Sequence, residues 1–236
     1  MKRIFALLLS ACCLTSGMAF NQAQQLFLLC VRNAHPTPPL PYDSDVEYIE
    51  STGTQWIDTG LPAREGLLVE CVGNIISWGE NARLFGCVTG GRGREFGVST
   101  GRTTDTQVYL GSAMSGWYTS SVPIGQSGHT FDLDSTAGSK VFRIDGNVIS
   151  MWSTSLGVSL ANVFLFANAA NSSYASVSRV SSFLAKDATT GQMLVDLVSV
   201  RFTNEQGVSE GAMYDRVSGQ LFRNAGTGAF TIGPDK

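Results

Sequence analysis

From residue 45 to the end, the chain runs in short apolar stretches broken by Gly, Ser, Asn and Asp, and nowhere does it hold a helical period. Strict alternation is clearest at His129-Thr130-Phe131-Asp132-Leu133-Asp134. A strand there puts Phe131 and Leu133 on one face and Asp132 and Asp134 on the other. Such a chain buries its apolar side chains by stacking half-buried strands in layers, so the expected class is all-β. Strands are predicted at 47–50, 55–58, 66–72, 83–88, 95–98, 107–110 and 129–133. Two more flank Asp145-Gly146-Asn147, between 140 and 149, because Asp-Gly supplies the positive φ that a primed hairpin turn requires. Residues 162–167 are apolar on both faces, as in a strand covered from both sides, and 177–186 and 193–202 give two longer strands.

Composition narrows the function classes. Only 15% of the 236 residues are charged and the net charge is −3, so a nucleic-acid-binding surface has no electrostatic support. Two histidines, His35 and His129, leave little for a His-rich metal site. The Gly90-Gly91-Arg92-Gly93-Arg94 run reads as a turn and not a phosphate cradle, since no helical pattern follows it.

The first residues read as an address. Met1-Lys2-Arg3, the apolar run 4–9 and the small residues around Gly17-Met18-Ala19 fit a secretory signal over 1–19, cleaved before Phe20. The alternative is a bacterial lipobox, Leu9-Ser10-Ala11-Cys12, with Cys12 as a lipidated amino terminus. Either reading places the protein outside the cytoplasm: secreted, periplasmic or on a bacterial cell surface. The run is too short for a spanning helix, so no transmembrane segment is expected. Loss of Lys2 and Arg3, with no acid in 1–19, takes the net charge from −3 to −5. Residues 20–44 hold Pro36, Pro38, Pro39 and Pro41, which mark a stiff linker, and 45–236 is the expected domain.

Setting aside Cys12 and Cys13, the cysteines are Cys30, Cys71 and Cys87. Cys71 and Cys87 are equidistant from Gly79, so a symmetric hairpin of 66–72 with 83–88 would set them opposite each other as a disulfide. Two buried thiols are the other reading. No pair has the CxxC spacing of a zinc site.

Two segments carry a resemblance. Glu47-Tyr48-Ile49-Glu50-Ser51-Thr52-Gly53-Thr54-Gln55-Trp56-Ile57-Asp58-Thr59-Gly60 resembles the opening of bacterial and phage-associated jelly-roll domains. Residues 194–201, then Gly211-Ala212-Met213-Tyr214-Asp215-Arg216-Val217-Ser218-Gly219-Gln220-Leu221-Phe222 and Asn224-Ala225-Gly226-Thr227-Gly228-Ala229-Phe230, are similar to their close. These are laminin-G-like members of the concanavalin A-like lectin/glucanase superfold. The resemblance spans about 45–233 and implies a two-sheet antiparallel jelly-roll sandwich whose first strand pairs with its last. It does not choose a function, because the superfold hosts lectins, adhesion modules, enzymes and spacers.

Three chemistries bear on these residues. The acid pattern of the superfold's glucanases is incomplete in Asp132-Leu133-Asp134 and wrongly spaced in Glu47-Tyr48-Ile49-Glu50, so no enzyme is expected. Calcium, which laminin-G-like domains often hold, would draw on the loop oxygens of Asp43, Asp45, Asp145 and Asn147. A sugar needs an aromatic platform and polar loops, and Trp78, Trp117, Trp152 and Tyr174 lie in or near loop-like segments; Trp56 belongs to the core. The expectation is therefore a secreted or cell-surface, non-enzymatic module that binds carbohydrate or a surface protein. The alternatives are a structural spacer or appendage-assembly module, and a phage-derived receptor-binding domain.

Overall fold

Asp145 and Gly146 have φ of 52° and 77°, so both central residues of their turn are left-handed. That turn joins β10 (Lys140–Ile144) to β11 (Asn147–Trp152), with Ile144 opposite Asn147, the primed two-residue hairpin that Asp-Gly favours. The computed structural model describes residues 39–77, 83–88, 94–100, 106–112, 118–120, 128–153, 161–168 and 175–236. Among them the regular structure is all strand and there is no helix.

In chain order, the strands before the hairpin begin with β1 (Ser44–Asp45), β2 (Ile49–Thr52), β3 (Ile57–Pro62), β4 (Leu67–Ser77) and β5 (Arg83–Val88). They continue with β6 (Arg94–Thr100), β7 (Thr106–Ser112), β8 (Tyr118–Ser120) and β9 (His129–Asp134). After it come β12 (Asn162–Leu165), β13 (Val177–Asp187), β14 (Met193–Thr203), β15 (Ser209–Asp215), β16 (Leu221–Phe222) and β17 (Thr231–Ile232). They form two antiparallel sheets. The larger follows the order β11-β10-β9-β4-β13-β14-β15-β16, with β1, β2 and β17 joined at its side, and the smaller follows β3-β12-β5-β6-β7-β8.

The alternating strands turn one face inward. Val69, Cys71, Phe131, Leu133, Phe183 and Leu197 from the large sheet share a single core with Ile57, Phe85, Val98, Val163 and Leu165 from the small one. Phe85 and Phe183 are fully buried and meet edge to face, with ring centroids 5.6 Å apart. Two sheets closed over a shared core make a β-sandwich. Truncating either ring to Ala would cost about 3–5 kcal/mol.

The chain ends close on each other. β13 and β14 pair from Lys186 opposite Met193 to Ser182 opposite Val198, and then part. Past that point β2 pairs with β13, and β1 pairs with β14. β17 lies on the other flank of β2, with Ile232 opposite Ile49, while the Glu47 amide donates to the Pro234 carbonyl at 2.8 Å and the Lys236 amide to the Asp45 carbonyl at 3.0 Å. The compact unit spans Pro41–Lys236. It takes in the last residues of the expected linker, because the Asp43 amide bonds to the Arg201 carbonyl and Tyr42 packs on Tyr214 at 4.9 Å.

One expectation is overturned. Residues 66–72 and 83–88 do not form a hairpin: β4 lies in the large sheet between β9 and β13, and β5 lies in the small sheet between β12 and β6. Gly73-Asn74-Ile75-Ile76 extends β4 well past Val72, and partners occupy both of its edges.

Near the chain's end, the Asn224 side chain accepts from the Gly226 amide at 2.8 Å, and the Ala225 amide donates to the Trp56 carbonyl at 2.9 Å. A Cβ on Gly226 would overlap the Thr54 carbonyl and come within 2.6 Å of the Trp56 ring. Gly226→Ala should therefore destabilise the domain by about 1–3 kcal/mol, the usual cost of overpacking. Chemical denaturation measures this, and an unchanged unfolding midpoint would show that the end closure is not tightly packed.

Candidate functional site

The oxygens singled out for calcium fall in two separate places. Asp145 and Asn147 sit at the β10–β11 turn, whereas Asp43 and Asp45 lie at β1 against β14, with β9, β4 and β13 between the two places. Calcium takes about six to eight oxygen ligands, and these four do not assemble into one such set. Nor, among the described residues, do three or more His, Cys, Asp or Glu side chains converge where they could hold a metal ion.

Local bonds account for the Asp side chains. The Asp145 carboxylate accepts from the His129 Nδ1 at 2.7 Å and from the Thr130 amide at 2.9 Å, and the Asp145 amide donates back to the Thr130 carbonyl. The hairpin turn is thereby latched to the start of β9. The bond from His129, then that from Thr130, hold the Asp145 carboxyl below its ordinary range. His129 is largely buried with its ring edge against Phe131, and its Nε2 is enclosed without a hydrogen-bond partner. Asn147 is exposed and only approaches the Asp145 carbonyl, at 3.5 Å. At the other place, Asp43 accepts from the Thr203 hydroxyl at 2.7 Å and Asp45 from the Tyr42 hydroxyl. Burial first, and then Asp45, raise the Tyr42 pKa.

Of the aromatic candidates, Trp78, Trp117 and Tyr174 lie outside the described residues. The Trp152 backbone pairs with Lys140 in the β10–β11 ladder, while its side chain also lies outside them. Trp56 is buried, as expected, and packs with Phe164 and Ala167.

The acids weighed for catalysis divide in the same way. Asp134 caps its own turn, accepting from the Thr136 amide and hydroxyl at 2.9 and 2.6 Å. Glu50 pairs with Arg179 at 2.7 Å, and the Arg179 guanidinium lies 4.4 Å over the Tyr48 ring. Asp132 stands on the outer face of the large sheet between Glu70 and Arg143 in register. Burial raises its pKa, Arg143 opposes the rise, and Asp145 adds to it.

Cys71 and Cys87 are buried thiols and not a disulfide. They cannot be the cross-strand pair of a hairpin, because Cys71 lies between Phe131 and Phe183 in the large sheet and Cys87 faces Phe96 in the small one. Burial, with Glu70 adding to it, pushes the Cys71 thiol far above its usual range and makes it inert. Cys12 and Cys30 lie outside the described residues.

Sequence reading missed two arrangements, the His129–Asp145 latch and the stack of Arg179 on Tyr48. Each joins a strand residue to one just outside another strand, and the only available signal is the position of His129 at the head of an alternating run.

Two outcomes are expected. Alkylation without reductant should leave Cys71 and Cys87 untouched in the native protein and modify both after denaturation, as read by intact mass; a bridged pair would resist. For the latch, a carboxyl held low when folded binds its proton less readily than it does in the unfolded chain. Its stabilisation is complete above the ordinary carboxylate range, about pH 4, and is lost as pH falls through the lowered folded value. Asp145→Ala should lower the melting temperature at neutral pH, and the gap to the parent protein should close in acid. A gap that persists undiminished would assign the effect to the left-handed turn and not to the charge. Comparison of the chain with protein-family models and with curated proteins finds no match.

Proposed function

We propose that the chain is an exported, non-enzymatic binding module: a laminin-G-like jelly roll, secreted or held at a bacterial cell surface, that recognises carbohydrate or another surface ligand. The observation that supports it best is the junction of the two segments that carry the resemblance. β2, within the opening segment, pairs with β17, directly after the closing one, and Thr54 and Trp56 bond to the 224–228 turn of the closing segment. Pairing of an early strand with the last one fits the end closure that the resemblance implies, although β1 itself pairs with β14. A non-catalytic role is supported by the acids themselves, since Glu50 and Asp134 are engaged in structural bonds.

A spacer or assembly module is the second reading, and the latch favours it: the Asp145 carboxylate that would serve a ligand at the hairpin turn instead ties that turn to β9. A glycan array probed with and without calcium, paired with melting curves in both conditions, separates the two. The binding reading expects at least one glycan class to be retained and to raise the melting temperature. Retention of no glycan, together with no calcium-dependent rise in melting temperature, would sink it in favour of the spacer.

A further inference from the structure

Asp145-Gly146 is the one Asp-Gly or Asn-Gly pair in the chain. Such a pair can attack itself, because glycine puts no side chain in the way of its own amide nitrogen. Once the Asp145 carboxyl takes up a proton, the Gly146 nitrogen can attack its Cγ. The N–Cγ bond forms, the amide proton goes to solvent and the carboxyl hydroxyl leaves as water, which closes a succinimide ring. Solvent water then opens the ring. Cleavage of the new bond restores aspartate. Cleavage of the bond between the nitrogen and the main-chain carbonyl gives isoaspartate, in which the chain runs on through the former side chain.

Neither solvent nor crowding protects the pair. The Asp145 side chain is half exposed, Gly146 is exposed, and a Cβ built on Gly146 would meet nothing within 4 Å. The protection lies in bonds to the start of β9. One carboxylate oxygen of Asp145 accepts from the Thr130 amide at 2.9 Å and the other from the His129 Nδ1 at 2.7 Å, while the Asp145 amide donates to the Thr130 carbonyl at 2.9 Å. Main-chain shape opposes closure as well. Asp145 is left-handed, with a φ of 52°. In that region the Cβ and the next residue's nitrogen lie nearly opposite each other about the Cα–C bond, whereas the ring needs them eclipsed. To react, Asp145 must leave the left-handed region and its carboxylate must turn away from β9. The bonds to His129 and Thr130 resist both movements. The same bonds, His129's first, hold the carboxyl below its ordinary range, so less of it carries the proton that the departing hydroxyl requires.

We propose that Asp145–Gly146 is a modification site, an isoaspartate-forming bond that the His129–Thr130 latch keeps closed in the folded protein and that opening of the latch exposes to reaction. The product could not re-form the latch. Isoaspartate adds a methylene to the main chain of a two-residue turn, which disturbs the register of Ile144 opposite Asn147. It also leaves the free carboxylate directly on Cα, one bond short of its former reach towards His129. The hairpin has little to spare, since among the described residues β11 pairs with β10 alone. Its ladder already holds one bulge, where Arg143 faces Val148 and Phe142 faces Ser150, so that Ile149 is the extra residue. The latch thus guards the covalent chain as well as the shape of the turn.

Peptide mapping of the purified protein tests this, with isoaspartate at position 145 separated from aspartate by chromatography during incubation over weeks well below the melting temperature. The native parent protein should isomerise at least about tenfold more slowly than the same chain held unfolded in guanidinium, because reaction must wait for local opening. His129→Ala removes a bond to a charged oxygen and should raise the native rate about tenfold. His129→Asn sets an amide donor where Nδ1 stands and should stay close to the parent. Melting curves show which variants are folded during the incubation, and the comparison of native with unfolded parent needs no variant. A native parent that isomerises as fast as the unfolded chain, a folded Ala variant no faster than the parent, or a folded Asn variant as fast as the Ala variant would each overturn the proposal.

Discussion

The contact of Phe85 with Phe183 stands for the constraint on which the rest depends: each sheet has one apolar face, and neither can be buried without the other. Phe183 sits midway along β13, which pairs with β4 on one side and successively with β14 and β2 on the other. The strand bearing the central ring therefore also organises the large sheet. The small sheet adds Phe85 from β5, held between β12 and β6. Burial on this scale explains why a chain with three cysteines after residue 13 folds without a bridge between Cys71 and Cys87. Both thiols act as small apolar groups in that core.

End closure is the second organising interaction. β13 and β14 separate beyond Ser182 and Val198, and the opening strands fill the space they leave. Arg201, Ser44 and Asp235 then join at the surface, with Arg201 3.2 Å and the Ser44 hydroxyl 2.8 Å from the Asp235 carboxylate. Exposed ion pairs contribute about 1 kcal/mol or less, so register comes chiefly from the backbone ladder and from Ile49, which is buried in the core. A comparable device shapes the end of β15. Burial pushes the Asp215 carboxyl up, but bonds from Ser218, Asp196 and Val217 outweigh it and hold the group below its ordinary range. The neighbouring Arg216 forks onto Asp196 at 3.0 Å through two nitrogens.

Local periodicity made much of this legible. The alternation at 129–134, the Asp145-Gly146 turn and the buried run at 162–167 each depend on neighbours in sequence; the first two form as read, and the third is a strand as far as Leu165, with Phe166 at a φ of 66°. Partner choice depends on residues far away and was not legible. Cys71 and Cys87 are symmetric about Gly79, yet symmetry about a glycine does not make a hairpin when one strand continues for five residues past Val72. The separation of the candidate calcium oxygens into two places has a related reason. An Asp in a turn looks the same in sequence whether it awaits a ligand or caps its own backbone, and only strand register brings His129 within 2.7 Å of Asp145. Nothing in the sequence marks the bulge in β11 either, because it arises from how β10 and β11 meet.

That bulge shows how one local choice reaches the surface. The Asp-Gly turn sets which pairs in the hairpin bond to each other and which point away. A regular hairpin would continue that parity and turn one of Val148 and Met151 inward. Here Phe142 must fill the core, and Ile149 also packs against it, so the extra residue is absorbed between them and both exposed side chains share the outer face. A bulge is commonly a device that spoils an edge for any partner. A packing demand in the core, transmitted through one inserted residue, thus decides which side chains face outward at the rim.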